Sequence, residues 1–116
     1  MTKQRFHYIL DMTNCNDKIL DKEIIKDFII KMAQELKMTL LHGPVVLEGV
    51  PENPGITGFA IVDFSHISIH SFTNNEVFID IFSCKTYDKS KVVQMCKDNF
   101  ANDNSEFREK EVWWGE

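Results

Sequence analysis

Hydrophobic and polar residues repeat with clear periods over most of this chain, and those periods predict its helices and strands. A period of two places alternate side chains on the two faces of a strand, whereas a period near 3.6 gives a helix one apolar face. The segment 50–55 contains two prolines and a glycine and is predicted to be a turn without regular structure. The predicted elements are a strand over 5–12, a helix over 21–37, a strand over 38–47 with a bulge or bend at Gly43–Pro44, three extended runs within 57–84, a helix over 89–100 and a strand over 107–114.

The middle of these three extended runs carries an unusual set of polar residues. In the segment 65–70, Ile67 and Ile69 point to one face of the predicted strand. His66, Ser68 and His70 point to the other face. A strand face with two histidines and a serine is not packed as core, so this face is either solvated or functional.

The residues between the second and third runs predict a tight hairpin. Asn74-Asn75 suits a two-residue loop because asparagine tolerates positive φ. In the register that this loop sets, Ser65 lies opposite Cys84, so that a hydroxyl and a thiol meet on one face. His70 projects from the other face, and it can join them only through a bulge or a second copy of the chain.

The order β-α-β-β-β-β-α-β predicts the fold class. Hairpin-connected strands with two separated helices are typical of an α+β protein, here a single antiparallel sheet with both helices on one face. We expect residues 1–116 to form one domain, since 43% of the residues are hydrophobic and the length suffices for a core. The other sheet face needs a cover, and we expect a two-fold dimer to provide it.

Composition excludes several classes of function. The net charge is −5 and no basic stripe is present, which disfavours nucleic acid as a partner. No apolar run approaches the ~18–20 residues of a membrane span, and the first residues lack an apolar signal core, so we expect a cytoplasmic protein. The three cysteines form no zinc or disulfide pattern, and Cys96 is predicted to be a small core residue.

The histidines on the polar face do not predict a metal site. On a strand, His66 and His70 lie about 13 Å apart, too far to bind one ion together. No carboxylate stands at ligand spacing and no cysteine pair is present, so no metal is expected.

Ser65 has a chemical role open to it that needs no partner residue. A serine hydrolase is disfavoured because no acid is placed to orient a base. The Ser65 hydroxyl instead lies one residue past the Phe64 carbonyl, where an N→O acyl shift would convert the peptide bond to an ester. Elimination would then leave a new terminal dehydroalanine that hydrolyses to a pyruvoyl group, a covalent electron sink.

Two motifs resemble those of a known family. Ser65-His66-Ile67-Ser68-Ile69-His70, followed by Asp-Ile-Phe-Ser-Cys at 80–84, is similar to the small prokaryotic S-adenosylmethionine decarboxylase proenzymes. Their pattern is Glu-Ser-His-x-Thr/Ser-Ile-His and then Asp-x-Phe-x-Cys. The resemblance extends to the first strand, the first helix and Thr57-Gly58. This chain departs from the family pattern at Phe64, which replaces the glutamate, and in the shorter turn after His70.

The resemblance implies a set of roles for these residues. The proenzyme would cut itself between Phe64 and Ser65 into 1–64 and 65–116, and the pyruvoyl group formed from Ser65 would make a Schiff base with the substrate amine. Cys84 would protonate the product carbon, and His70 would act in self-processing with Thr57 as a helping hydroxyl. In the family, the serine and cysteine come from one protomer and the histidine from its mate.

The substrate and the activity stay open at this point. The resemblance implies a small-molecule amine, S-adenosylmethionine first, in polyamine and spermidine synthesis, with arginine or ornithine as alternatives. Glu76 would replace the acid that holds a ribose, and the aromatic strand face with Phe6 and Tyr8 would meet a sulfonium by cation–π attraction. The rival hypothesis is a non-cleaving paralog that binds a ligand or regulates an active partner.

Overall fold

The computed structural model describes residues 5–114 and forms one six-stranded sheet with two helices. A single turn of 3-10 helix at Asp17–Leu20, which the pattern did not predict, precedes the first helix. The elements are β1 (Arg5–Met12), α1 (Lys22–Glu35), β2 (Leu40–Val50), β3 (Asn53–Val62), β4 (Ser65–Phe72), β5 (Glu76–Ser83), α2 (Lys89–Phe100) and β6 (Phe107–Trp114). The bounds of β1, α2 and β6 are those that the sequence predicts.

The sheet confirms the predicted fold class. All neighbouring strands are antiparallel, in the order β2-β3-β4-β5-β1-β6. The two helices touch each other through Phe28 and Phe100, whose ring centroids lie 4.8 Å apart, so both cover the same sheet face. Alternate residues of β1, β4 and β5 are buried beneath them, and Cys96 is fully buried in this core, as predicted. The opposite face of the sheet, here called the open face, is not covered by any residue of 5–114.

The N-terminus of each helix is capped by an aspartate side chain. The Asp21 carboxylate accepts hydrogen bonds from the backbone N–H groups of Glu23 and Ile24, and the Asp88 carboxylate accepts one from Ser90. An aspartate in this position satisfies backbone donors that the first turn leaves without partners. The cap at Asp88 was predicted from the sequence.

The start of β3 corrects one prediction. Pro54 and Gly55 belong to the strand rather than to an irregular loop. The pairing of β2 with β3 shifts register between Glu48 and Val50, and β3 pairs with β4 only from Ile56 onward. A proline is tolerated at such a strand start because its missing N–H costs no ladder hydrogen bond. The irregularity predicted at Gly43–Pro44 is confirmed, since the register also shifts between His42 and Val45.

The hairpin between β4 and β5 corrects another prediction. Its loop has three residues, 73–75, so Phe72 pairs with Glu76 and Ser65 pairs with Ser83 rather than with Cys84. Asn75 adopts φ 63°, the left-handed residue that closes a three-residue hairpin loop. Its side-chain amide donates to the Cys15 carbonyl at 3.0 Å, and its backbone carbonyl accepts from the Cys15 N–H at 2.8 Å. These contacts with a distant segment hold the longer loop in place.

Candidate active site

Ser65 lies at the exit of a two-residue hairpin turn. Val62 and Ser65 are paired across β3 and β4, which leaves only Asp63 and Phe64 in the loop. The turn is fixed to the segment before β2, because the Asp63 N–H donates to the Thr39 carbonyl at 3.0 Å and the Asp63 carboxylate accepts from the Thr39 N–H at 2.9 Å. These two hydrogen bonds fix the position of Asp63 and so restrain the Phe64–Ser65 peptide bond on its N-terminal side.

The backbone of Ser65 is strained. Its φ is 141°, whereas the other non-glycine residues of 5–114 with positive φ lie between 54° and 63°, the ordinary left-handed region. A φ such as that of Ser65 is sterically open almost only to glycine and costs on the order of 1–3 kcal/mol. The strain falls on the peptide bond where the sequence predicts self-cleavage.

The Phe64 carbonyl is polarised from the neighbouring strand. The backbone N–H of Cys84 donates to the Phe64 carbonyl oxygen at 3.0 Å. An N–H donor in this position stabilises negative charge that develops on that oxygen when a nucleophile attacks the carbonyl carbon. The corrected register thus separates the Cys84 side chain from the position opposite Ser65, but it brings the Cys84 backbone to the bond that Ser65 would attack.

Two residues beside this bond were missed by the sequence analysis. The Ser83 hydroxyl donates to the Lys85 carbonyl at 2.7 Å and accepts from the Lys85 N–H at 3.0 Å, which fixes the bend that carries Cys84. The Lys85 ammonium lies 4.6 Å from the centre of the Phe64 ring and donates to the Lys37 carbonyl at 2.7 Å. A three-residue loop in the register argument would have pointed to Ser83, whereas no sequence signal pointed to Lys85.

Thr57 and His70 form a second group at the far end of β4. They are paired across β3 and β4 on the open face, and Thr57 Oγ1 lies 3.2 Å from Nδ1 of His70. His70 lies five positions along the strand from Ser65, a distance of about 16 Å. Glu76 also belongs to this end of the sheet, because it pairs with Phe72. The residues named from the sequence therefore form two separate groups in one chain.

The two aromatic side chains predicted to bind substrate are buried. Phe6 and Tyr8 are 2% and 1% exposed. Phe6 pairs with Ser83 and so lies at the Ser65 end of the sheet, but its ring is covered by Tyr87 and Trp113, at centroid distances of 5.1 and 4.8 Å. The contact of these rings with substrate stays a prediction that a single chain does not support.

The hydroxyl groups of Tyr8 and Tyr87 differ in their hydrogen bonding. The Tyr8 hydroxyl donates to Glu109 at 2.5 Å, and burial together with this carboxylate raises the pKa of Tyr8. The Tyr87 hydroxyl is buried and has no hydrogen-bond partner within residues 5–114, and burial raises its pKa too. A buried hydroxyl without a partner is uncommon, and this one lies beside Phe6, at the Ser65 end of the sheet.

The main cavities of the described part of the chain do not coincide with these groups. The four main cavities of residues 5–114 lie at other places and are lined by none of Ser65, His70 and Cys84. Cys84 is an exposed free thiol. Over the same range, neither helix has the length and apolar character that a membrane crossing would require.

Comparison with known proteins identifies the family. The model of the S-adenosylmethionine decarboxylase family matches residues 6–111, which is nearly the whole chain. The chain belongs to the S-adenosylmethionine decarboxylase family. This match confirms the family that the motifs at 65–70 and 80–84 resemble.

Individual relatives in the family have two different names. An S-adenosylmethionine decarboxylase proenzyme of Prochlorococcus marinus (strain MIT 9211) is 34% identical over 67% of this chain and 63% of its own length. One of Oceanobacillus iheyensis is 31% identical over 89% of this chain and 82% of its own length. An arginine decarboxylase proenzyme of Caldivirga maquilingensis is 34% identical over 67% of this chain and 60% of its own length. The matches to the first and third of these thus span about three-fifths of each relative.

Proposed function

We propose that this protein is a self-processing, pyruvoyl-dependent decarboxylase whose substrate is S-adenosylmethionine. The observation that carries the proposal is the geometry of the Phe64–Ser65 bond: a strained serine follows a carbonyl that already accepts a hydrogen bond from the Cys84 N–H. Family membership supports the same chemistry. We also place the protein in the cytoplasm, where Cys84 would remain a free thiol.

Self-processing would begin at Ser65. Its hydroxyl oxygen bonds to the Phe64 carbonyl carbon, the carbon–nitrogen bond breaks, and the hydroxyl proton passes to the Ser65 nitrogen. The Cys84 N–H stabilises the charge on the carbonyl oxygen during this shift. Loss of the Ser65 α-proton then releases the Phe64 carboxylate, and water replaces the nitrogen as ammonia to leave the ketone. Relief of the Ser65 backbone strain favours the first step.

The residues around Ser65 fit this group without a further cofactor. A pyruvoyl ketone supplies the electron sink into which a substrate loses carbon dioxide. The exposed thiol of Cys84 lies one residue beyond Ser83, the strand partner of Ser65, and would return a proton to the product. Thr57 and His70 would complete the site from a second copy of the chain, because about 16 Å separates His70 from Ser65 within one chain.

Mass spectrometry of the intact purified protein tests self-processing. We expect two fragments, 1–64 and 65–116, whose summed mass exceeds the precursor by one water less one ammonia. Hydrolysis by a contaminating protease would add one whole water instead. Ser65→Ala should leave the chain uncut because it removes the attacking oxygen. Ser71→Ala is the matched control, since it removes a hydroxyl from the same face of the same strand, six residues away.

Two outcomes would contradict the proposal. A wild-type protein that keeps its full-length mass after prolonged incubation would support the non-cleaving paralog that binds a ligand or regulates a partner. Cleavage that persists in Ser65→Ala would assign the cut to another agent. Far-ultraviolet circular dichroism of each variant shows whether the fold is retained, so that loss of cleavage is not confused with unfolding.

Arginine is the second candidate substrate. An arginine decarboxylase proenzyme is as similar to this chain, at 34% identity, as an S-adenosylmethionine decarboxylase proenzyme. Release of carbon dioxide from carboxyl-labelled S-adenosylmethionine, arginine and ornithine distinguishes the candidates. We expect S-adenosylmethionine to be preferred, with Cys84→Ala reducing turnover while the chain still cuts itself. A preference for arginine would instead assign the protein as an arginine decarboxylase.

A further inference from the structure

Three potential metal ligands converge on the open face of the sheet, outside the groups described above. His7 stands on β1, His66 on β4 and Asp80 on β5, and one donor atom from each lies within 4.8 Å of the other two. The sequence analysis considered only His66 with His70, which share a strand. Pairing of β1 and β4 with β5 brings His7 and His66 to either side of Phe82, two residues from Asp80 on the same face.

One donor-atom distance in this cluster, from His66 to Asp80, is that of two ligands around one ion, whereas His7 and Asp80 are in direct hydrogen-bond contact. Oδ1 of Asp80 contacts Nε2 of His7 and lies 3.6 Å from Nε2 of His66. A separation of 3.6 Å is too long for a hydrogen bond between these atoms. It is close to the roughly 3.4 Å that separates two ligands in a tetrahedral zinc site with bonds of about 2.1 Å. Two imidazole nitrogens thus point at one carboxylate oxygen.

The neighbouring side chains orient these ligands. The Ser68 hydroxyl donates to Oδ2 of Asp80 at 3.1 Å, which leaves Oδ1 directed at the histidines. The His66 ring stacks against Phe59 and Phe82, at centroid distances of 5.3 and 5.9 Å. Partners that fix the direction of a ligand, together with an apolar surround, are regular features of protein metal sites.

In a single chain the cluster is accessible enough for an ion to enter. The side chains of His7, His66 and Asp80 are 32%, 31% and 25% exposed. Two imidazoles and one carboxylate suit a divalent first-row transition metal, whereas Mg²⁺ prefers oxygen ligands alone. We infer that His7, His66 and Asp80 form a binding site for such a metal, with at least one coordination position left to water.

Titration of the metal-free protein with ZnCl₂ tests this site. Calorimetry measures the binding, and the melting temperature is determined with and without zinc. We expect one zinc ion per chain and a rise in melting temperature, because an ion held by β1, β4 and β5 binds only the folded chain. MgCl₂ at the same concentration should give neither effect. The measurement is repeated in Ser65→Ala, so that the result does not depend on self-processing.

Variants assign the binding to the three residues. Asp80→Asn keeps the size of the side chain, and we expect it to weaken zinc binding by more than the 10–100-fold that loss of an outer partner costs. Ser68→Ala, which removes such an outer partner, should weaken binding within that range. His7→Gln provides an independent loss of a ligand if Asp80→Asn disturbs the sheet. His42→Ala is the control, because this histidine stands on β2 outside the cluster.

The proposal is overturned by either of two results. The first is a wild-type protein that binds no zinc at micromolar concentration. The second is zinc binding of equal affinity in wild type, Asp80→Asn and His7→Gln, which would place the ion at other surface groups such as the exposed Cys84 thiol.

Discussion

Ser65 differs from its neighbours in conformation more than in chemistry. Serines at 68, 71 and 83 also lie in or beside the central strands, but only Ser65 has a φ of 141° within residues 5–114. The Asp63–Thr39 hydrogen bonds hold the turn on one side of the Phe64–Ser65 bond, and the Cys84–Phe64 hydrogen bond holds its carbonyl on the other. Strain at a fixed peptide bond is therefore what separates this serine from the rest.

The buried thiol of Cys15 leads to a prediction of how the stability of the fold depends on pH. Burial raises the pKa of its thiol from 9.0 to about 11. The folded chain holds this proton more tightly than the unfolded chain, so the thiol stabilises the fold fully below pH 9. That contribution is lost between pH 9 and about 11, at up to about 1.4 kcal/mol per pH unit.

Urea unfolding at several pH values measures this loss. The free energy of unfolding should fall as pH rises above 9, and Cys15→Ala should reduce the slope. The raised pKa of Tyr8 extends the decline above pH 10 in both proteins. Val92→Ala is the control, since it removes buried atoms that do not titrate and should lower stability without changing the slope. An unchanged slope in Cys15→Ala would contradict the prediction.

The strands and helices fit together through a few close contacts. Gly58 on β3 lies directly beneath α1, and a Cβ at this position would stand 2.7 Å from Cδ1 of Ile29 and 3.0 Å from Cγ2 of Ile25. A glycine here lets the helix pack closely on the strand that carries Thr57. The position of the Thr57–His70 pair therefore depends on the contact between α1 and the sheet.

Gly58→Ala tests this contact. We expect it to destabilise the fold by about 1–3 kcal/mol, as overpacking of a core does, measured by urea unfolding. Ile29→Val removes the Cδ1 atom that the new methyl group would meet and should cost about 0.5–1.5 kcal/mol in the parent. The double variant should lose less than the sum of the two. Strict additivity would show that the clash is relieved elsewhere.

The whole sheet separates the two groups of predicted catalytic residues. Ser65 and Cys84 lie at one end of the β4–β5 hairpin, and Thr57, His70 and Glu76 lie toward the other. The open face also exposes large apolar side chains, among them Phe59, Ile61 and Phe78. A second copy on this face would bury those side chains and would place Thr57 and His70, which lie on the open face, at the contact between the two chains. We propose this two-fold dimer as the active form.

Mixing two inactive variants tests the shared site. Ser65→Ala and His70→Ala should each stay uncut alone. After co-refolding in equal amounts, half of the dimers would be mixed and each would contain one complete site, so about one quarter of the wild-type cleavage should return. Complementation is possible only if the histidine acts across the dimer. No recovery in a mixture that forms dimers by size-exclusion chromatography would place the whole site within one chain.

Much of the fold followed from short-range pattern. The alternation in β1 and β4, the apolar stripes of both helices and the cap at Asp88 are local features, and the chain order of these elements indicated the single antiparallel sheet. The motif at 65–70, whose residues are contiguous in the chain, also pointed to Ser65. These inferences needed no knowledge of which distant residues touch.

Other features depended on contacts between distant segments. The β4–β5 register differs from the predicted one by one residue because the loop has three residues, and Asn75 in this loop is hydrogen-bonded to Cys15, 60 positions away in the chain. The hydrogen bond from the Cys84 N–H to the Phe64 carbonyl and the cluster of His7, His66 and Asp80 also join residues that are distant in the sequence. Periodicity tells which face of an element is apolar. It does not tell which strands become neighbours or by how many residues they are offset, because long-range packing and hydrogen bonding set both.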